Sequence, residues 1–264
     1  VQILHELTRR GYVTMRVEKT SMGDSGGPPC YSEAGDLAQE VDGYRAGFRA
    51  LAQHPSVDPG RIVLFGHSAG ATLAPLVARG LNVAGIVGAG AMGTTFHRYI
   101  LAMRERERRL EGRSDAEVQK SMAITTACLD RLLIKGEAPG DIESSQPECR
   151  KQVRFDSPPS YIAQWTRLDL AEAWTHVRAP VLILYGAADF VTSEDESRAL
   201  VEKINAAAPS PPARLEILPM DHGFLAFGTA QRAWNAEQGI VPPAGVLGEA
   251  IDSIDAFFRD LQRR

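Results

Sequence analysis

Hydrophobic positions along this chain follow two periods. Short runs rich in β-branched and other apolar residues lie at 12–17, 61–65, 83–87, 181–185 and 214–218, and runs of that length bounded by polar segments predict strands. Between the first two runs, Leu37, Val41, Tyr44, Phe48 and Leu51 recur at intervals of three and four, which places them on one face of a helix. Leu247, Ile251, Ile254, Phe258 and Leu261 repeat the stripe near the end of the sequence. Residues 3–10 predict a further helix ahead of the first run. Strands alternating with amphipathic helices predict an α/β fold with a mostly parallel central sheet flanked by helices.

The middle of the chain breaks the alternation. Residues 93–179 contain no convincing strand, and the run Arg104-Glu105-Arg106-Glu107-Arg108-Arg109 is followed by helix-like sequence at 121–134. So long an insertion predicts a helical lid over one edge of the sheet, which divides the chain into a core of 1–92 and 180–264 and a lid of 93–179. The charge run is expected to be a solvated helix face. Pro139, Pro147, Pro158 and Pro159 should make the second half of the insertion irregular. Phe96, Tyr99, Met103, Tyr161 and Trp165 are expected to find too few partners within the insertion, and so to face the C-terminal edge of the sheet.

Composition narrows the classes of partner. A chain that is 44% hydrophobic and 23% charged has an ordinary globular balance, unlike a disordered or collagenous one. No run reaches the roughly 18 to 20 apolar residues of a membrane helix. The formal charge of −4, with no basic block, implies no nucleic-acid partner; a small-molecule or short peptide substrate is expected instead. Cys30, Cys128 and Cys149 are scattered, without metal-site spacing, so neither a metal centre nor a disulfide scaffold is predicted, although one bridge would point to an oxidising compartment. Residue 1 is Val and no signal-like segment follows it, so the cellular address is not legible.

Candidate chemistry lies at the strand ends. The pattern GxSxG occurs at 23–27 and at 66–70, and only the second follows a predicted strand and opens a predicted helix. That context is the nucleophile elbow, a tight turn that lifts a serine hydroxyl out of the sheet, here Ser68, with flanking Gly66 and Gly70 giving clearance. It also aims a helix N-terminus at the serine, so that the Ala69 backbone N–H can donate to an oxyanion. Ser25 precedes Pro28-Pro29 and suits a loop. The string GDSGGP at 23–28 resembles the nucleophile segment of trypsin-like proteases, but those are all-β proteins with histidine and aspartate upstream of the serine, and only His5 precedes Ser25.

A serine nucleophile requires a base and an orienting acid. Asp189 follows the run at 181–185 after a short loop, and His222 lies just past the run at 214–218, so both should emerge on the same sheet edge as Ser68. Asp221 is the alternative acid, yet its neighbour relation to His222 on an extended segment turns it the other way. His67 has two readings, packing beneath the elbow or lining the pocket. His5, His54, His97 and His176 have no strand-end context.

On GHSAG at 66–70, LYGAAD at 184–189 and DHGF at 221–224, the chain resembles the α/β-hydrolase fold serine hydrolases, in their lid-bearing esterase and serine-aminopeptidase-like branch. The resemblance implies a Ser68-His222-Asp189 triad, no cofactor and no metal. The leading expectation is cleavage of carboxylic esters through an acyl-enzyme. Amide or peptide cleavage is the alternative, and a non-catalytic binding module a third reading that the complete triad disfavours. The fold it resembles begins with three strands ahead of the helix read at 3–10. One of them lies between the strands equivalent to 12–17 and 61–65, and the loop after it supplies a second oxyanion donor. A further N-terminal segment is therefore expected.

Overall fold

The computed structural model describes residues 2–27, 29, 32–207, 213–242 and 244–263, so Pro28 and Cys30 lie outside the described residues. The chain divides into two compact units: Val1–Val17, Val41–Gly93 and Leu170–Arg264 form one, and Glu18–Glu40 with Thr94–Asp169 form the other. The segment at 18–40 thus joins the helical insertion rather than the expected core of 1–92.

The first unit is built on four parallel strands in the order β1 (Val63–His67), β2 (Gly85–Ala89), β3 (Val181–Gly186) and β4 (Arg214–Leu218). Every residue of β2 and β3 is buried, which is why both read as unbroken apolar runs. Their alternate side chains serve two cores. Val87, Ala89, Leu182 and Leu184 pack with Ile3 and Leu7 of α1 (Gln2–Arg9) and with Ile251, Ile254 and Phe257 of α11 (Gly248–Gln262). Ile86, Val181 and Ile183 pack on the other face with Ala71 and Ala74 of α3 (Ala69–Ala78), Trp174 of α8 (Leu170–Thr175), and Leu200 and Ile204 of α9 (Glu194–Ala207). The stripe that begins at Leu37 forms α2 (Leu37–Ala52), and α10 (Ala230–Glu237) follows β4.

The predicted strand at 12–17 is a correction, because that segment forms no strand and pairs with none among the described residues. Strand character requires a partner for the backbone N–H and C=O groups, and here none lies alongside. Side chains hold the segment instead. The Tyr12 hydroxyl donates to Asp255 Oδ1 at 2.7 Å, and its ring meets Phe258 edge-on at 5.0 Å. A cleft of about 1220 Å3 is lined both by this segment, through Val13, Met15 and Val17, and by β1, through Val63, Phe65 and His67.

The second unit is helical. It contains α4 (Phe96–Leu110), α5 (Asp115–Leu129), a single π-helical turn at Asp130–Ile134, α6 (Pro139–Ser145) and α7 (Pro159–Thr166). A capping box starts α5: Ser114 and Glu117 satisfy each other's backbone donors. Two expectations fail here. Arg108, inside the run read as a solvated face, is only 7% exposed. It donates to Ser121 at 2.6 Å, Thr125 at 2.8 Å, Gln152 at 3.3 Å and the Arg104 carbonyl at 2.7 Å. The insertion's aromatics also have partners of their own, since Phe96 lies 6.3 Å from each of Tyr99, Phe155 and Trp165, and Tyr161 meets Trp165 at 6.5 Å.

Cys128 and Cys149 are joined by a disulfide across 21 residues, with both side chains buried. α7 binds the 18–40 segment through its polar side chains. Gln164 accepts from Leu37 N and donates to the Gly35 carbonyl, each at 2.8 Å, while the Tyr161 hydroxyl donates to Glu40, which also pairs with Lys19 at 2.9 Å. Loss of hydration and the Glu40 carboxylate push the Tyr161 phenol well above its usual range. Ser25 sits in this segment within a turn, its N–H donating to Met22 O at 3.0 Å, as a loop serine should.

Candidate active site

The site is assembled at the C-terminal ends of the parallel strands, all within the first unit. β1 ends at His67 and α3 begins at Ala69, so Ser68 alone makes the turn between them. Its backbone takes φ 54° and ψ −120°, a region that non-glycine residues enter at a cost of roughly 1–3 kcal/mol. The turn persists because both sides are tied. The Ser68 N–H donates to Ala89 O at 2.8 Å, and the Ser68 carbonyl accepts from Thr72 N at 3.0 Å and Thr72 Oγ1 at 3.1 Å.

Gly66 is obligatory for this geometry, since a Cβ there would lie 2.6 Å from the backbone of Ala71. Gly70 is different: a Cβ would meet nothing within 4 Å. The expected crowding at Gly70 is absent because that residue borders the cleft beside β1. Ala69 is the first residue of α3, so its N–H is one of the first-turn donors that a helix leaves unused. Such a donor at the positive end of the helix dipole suits a developing oxyanion.

Asp189 lies in the short loop after β3 and is only 5% exposed. Its Oδ1 accepts from Val191 N at 2.7 Å and Thr192 N at 3.0 Å, and its Oδ2 accepts from Thr192 Oγ1 at 2.7 Å and His222 Nδ1 at 2.8 Å. Burial alone would raise its pKa. The bonds and charge of His222, with those of Thr192, outweigh burial and hold it below the usual aspartate value. Because an ionised carboxylate only accepts, His222 Nδ1 carries the proton of that bond and Nε2 is the open nitrogen. Nε2 is buried and has no hydrogen-bond partner among the described residues.

Asp221, the alternative acid, is occupied elsewhere. Its Oδ1 accepts from Leu225 N at 2.7 Å and its N–H donates to Leu225 O at 2.9 Å, which folds the turn that carries His222. Burial raises its pKa, two backbone bonds offset that only in part, and the nearby Asp189 charge adds to the rise.

Three contributors escaped sequence reading. Gly90, at φ +62°, leaves room for the base: a Cβ there would lie 2.6 Å from His222 Cε1 and 2.9 Å from Nδ1. Thr192 supplies two of the four bonds to Asp189. Thr72, fully buried, links the elbow to the chain after β2, because its Oγ1 accepts from Met92 N at 3.1 Å as well as donating to Ser68 O. The local signals, Gly88-Ala89-Gly90 after an apolar run and Thr four residues beyond Ser68, carry no meaning until the distant partners are known. His67 lines the cleft, and its ring packs 5.0 Å from that of His222 and 5.2 Å from that of Phe224. No three histidine, cysteine, aspartate or glutamate side chains stand together as a metal-ligand set among the described residues, and no described helix is long and apolar enough to cross a membrane.

The sequence profile of the alpha/beta hydrolase family matches residues 1–236. No curated protein matches the chain. Among solved structures, that of DcsB in complex with its substrate analogue is similar at 19% identity and a TM-score of 0.57, covering 98% of this chain and 83% of DcsB. The esterase Pf2001 of Pyrococcus furiosus follows at 13% identity and 0.48, covering 90% of this chain and 66% of the esterase. The esterase EaEST of Exiguobacterium antarcticum stands at 16% and 0.44, covering 90% and 78%.

Proposed function

Given that the chain belongs to the alpha/beta hydrolase family, we propose that it is a serine hydrolase of carboxylic esters working through Ser68, His222 and Asp189. The observation that carries this reading is the state of His222, bonded through Nδ1 to a buried carboxylate while Nε2 stays unpartnered at the sheet edge that bears the strained Ser68. In the proposed cycle His222 Nε2 takes the Ser68 hydroxyl proton as Oγ attacks the acyl carbon. The Ala69 N–H donates to the oxyanion, and Asp189 balances the imidazolium. Collapse expels the alcohol with that proton. Water, activated by the same nitrogen, then hydrolyses the acyl-enzyme and restores Ser68. No step calls for a cofactor.

Substrate choice is proposed to rest with the helical insertion, so exchanges within 94–169 should change the acyl-length profile more than the rate of Ser68 phosphonylation. The direct test of the nucleophile is a fluorophosphonate probe. Labelling should survive Ser25→Ala and vanish in Ser68→Ala together with turnover of p-nitrophenyl esters, a loss of about 10⁶-fold in kcat. Labelling confined to Ser25 would overturn the assignment.

A further inference from the structure

The residue just before the elbow makes a contact that neither packing beneath the turn nor lining a pocket requires. His67 Nε2 lies 2.7 Å from the main-chain carbonyl oxygen of His222, across 155 residues of sequence. A carbonyl can only accept, so Nε2 carries a proton and donates. The bond joins the last residue of β1, fixed by its register opposite Ala89, to a turn that lies outside every strand.

The His222 ring is thereby held on three sides. Asp189 takes Nδ1, Gly90 closes against Cε1, and His67 holds the main chain from which the ring hangs. The first two constrain the imidazole alone. Only the third ties the base directly to the segment that carries Ser68, since residues 67 and 68 are consecutive and the backbone at 68 is locked. Resting on the triad reading above, we propose that His67 is a positioning residue: its Nε2–H donates to the His222 carbonyl and keeps the base in register with the nucleophile.

The chemistry also favours a neutral ring at this place. His222 becomes an imidazolium during each proton transfer, and a second cation 5.0 Å away would oppose that charge. Loss of hydration around the bonded edge of His67, and the neighbouring His222, hold its pKa below the usual histidine value. The bond to the His222 carbonyl and the Asp189 charge act in the opposite sense with less effect. A lysine could donate to the same carbonyl, but it would place a permanent charge beside the base.

The test uses the wild-type protein first. Histidine ¹⁵N NMR at neutral pH should find His67 neutral and protonated on Nε2; the Nδ1–H tautomer would overturn the bond and the proposal with it. Kinetics with p-nitrophenyl butyrate follow, normalised to sites titrated by the fluorophosphonate. His67→Phe should lower kcat per titrated site by about 10- to 100-fold, the order of loss caused by a small misplacement of a catalytic group, with KM within about 3-fold. His67→Gln, which restores an N–H donor of similar reach, should recover most of that loss. An unchanged kcat per site in His67→Phe, or a glutamine variant no better than phenylalanine, would refute the role. Ser68→Ala separates the readings. If it is inactive while His67→Phe is unimpaired, the His67 role alone fails; if it stays active, the triad fails and the His67 role falls with it.

Discussion

Two buried charges, one in each unit, are solvated in opposite ways. Asp189 has a titratable partner, His222, among its four hydrogen bonds. The bonds of Arg108 all run to neutral acceptors, namely two hydroxyls, an amide and a carbonyl. Burial, with Arg113 and Arg104 nearby, lowers the Arg108 pKa, yet a guanidinium stays protonated in a protein, so this charge is permanent. The difference separates a charge that can work from one that can only hold. Around Asp189 a proton can be gained and lost by the partner, whereas around Arg108 nothing changes state, and its bonds join α4 to α5 and to the chain near Cys149. Chemistry should therefore fail without loss of fold at the first charge, and fold should fail without loss of chemistry at the second.

The largest expected effect is at Asp189. Asp189→Asn keeps the volume but offers His222 Nδ1 an amide, which favours the wrong tautomer, so kcat should fall about 10⁴-fold. Its melting temperature should change far less than that loss would suggest. If Asp221→Asn proved the more damaging substitution in a folded protein, the acid would have been wrongly chosen.

Next comes the covalent tie of the helical unit. Replacing Cys128 and Cys149 together by serine opens a loop closed across 21 residues, for which chain entropy gives about 3 kcal/mol. Thermal denaturation with and without reductant should show that loss in the wild type and no reductant effect in the double variant. Intact-mass analysis after alkylation of the native protein should find a single free thiol among Cys30, Cys128 and Cys149. Two or more free thiols in the native protein would contradict the bridge. Somewhat smaller is the effect of Arg108→Met, which leaves Ser121, Thr125 and Gln152 short of a donor partner in a buried place and should cost about 2 kcal/mol. Fluorophosphonate labelling per folded molecule should remain at the wild-type rate in both variants. A fall in labelling that tracked neither melting temperature nor folded fraction would break the division between the two charges.

What was legible in the sequence follows the same line between local and distant causes. The run at 181–185 announces β3 because both faces of that strand are buried, and each residue there must be apolar wherever its neighbours come from. The placement of Ser68, Asp189 and His222 after β1, β3 and β4 was readable because each follows such a run. The segment at 12–17 has equally strand-like residues and is not a strand, because pairing belongs to the neighbour as much as to the segment. Arg108 reads as one more member of a charged helix face; only the arrival of Ser121, Thr125 and Gln152 makes it a buried hub. Gly90 and His67 likewise depend on a histidine more than a hundred residues away, and no local pattern encodes that meeting. Cys128 and Cys149 are each unremarkable in spacing, and the helices between them decide the pair.

The smallest expected effect sharpens the contrast between the two aspartates of the site. Asp189 has its pKa lowered in the folded protein, so its contribution to stability is present above the unfolded value of about 3.9 and is lost as pH falls through the folded value. Asp221 has its pKa raised, so the sign reverses: ionisation opposes folding, and stability is lost as pH rises from the unfolded value through the folded one. Asp221→Asn keeps a carbonyl oxygen for Leu225 N and removes the charge. It should be neutral or slightly stabilising at pH 7, by no more than about 2 °C in Tm because the group is partly exposed and screened. Near pH 3.5 the advantage should disappear, since most of the wild-type carboxyl is then protonated in both states. Melting temperatures of the two proteins between pH 3.5 and 7 measure this directly. An asparagine variant less stable at pH 7 than at pH 3.5, each relative to wild type, would mean that Asp221 is held as a stabilising anion and that the turn carrying His222 depends on its charge.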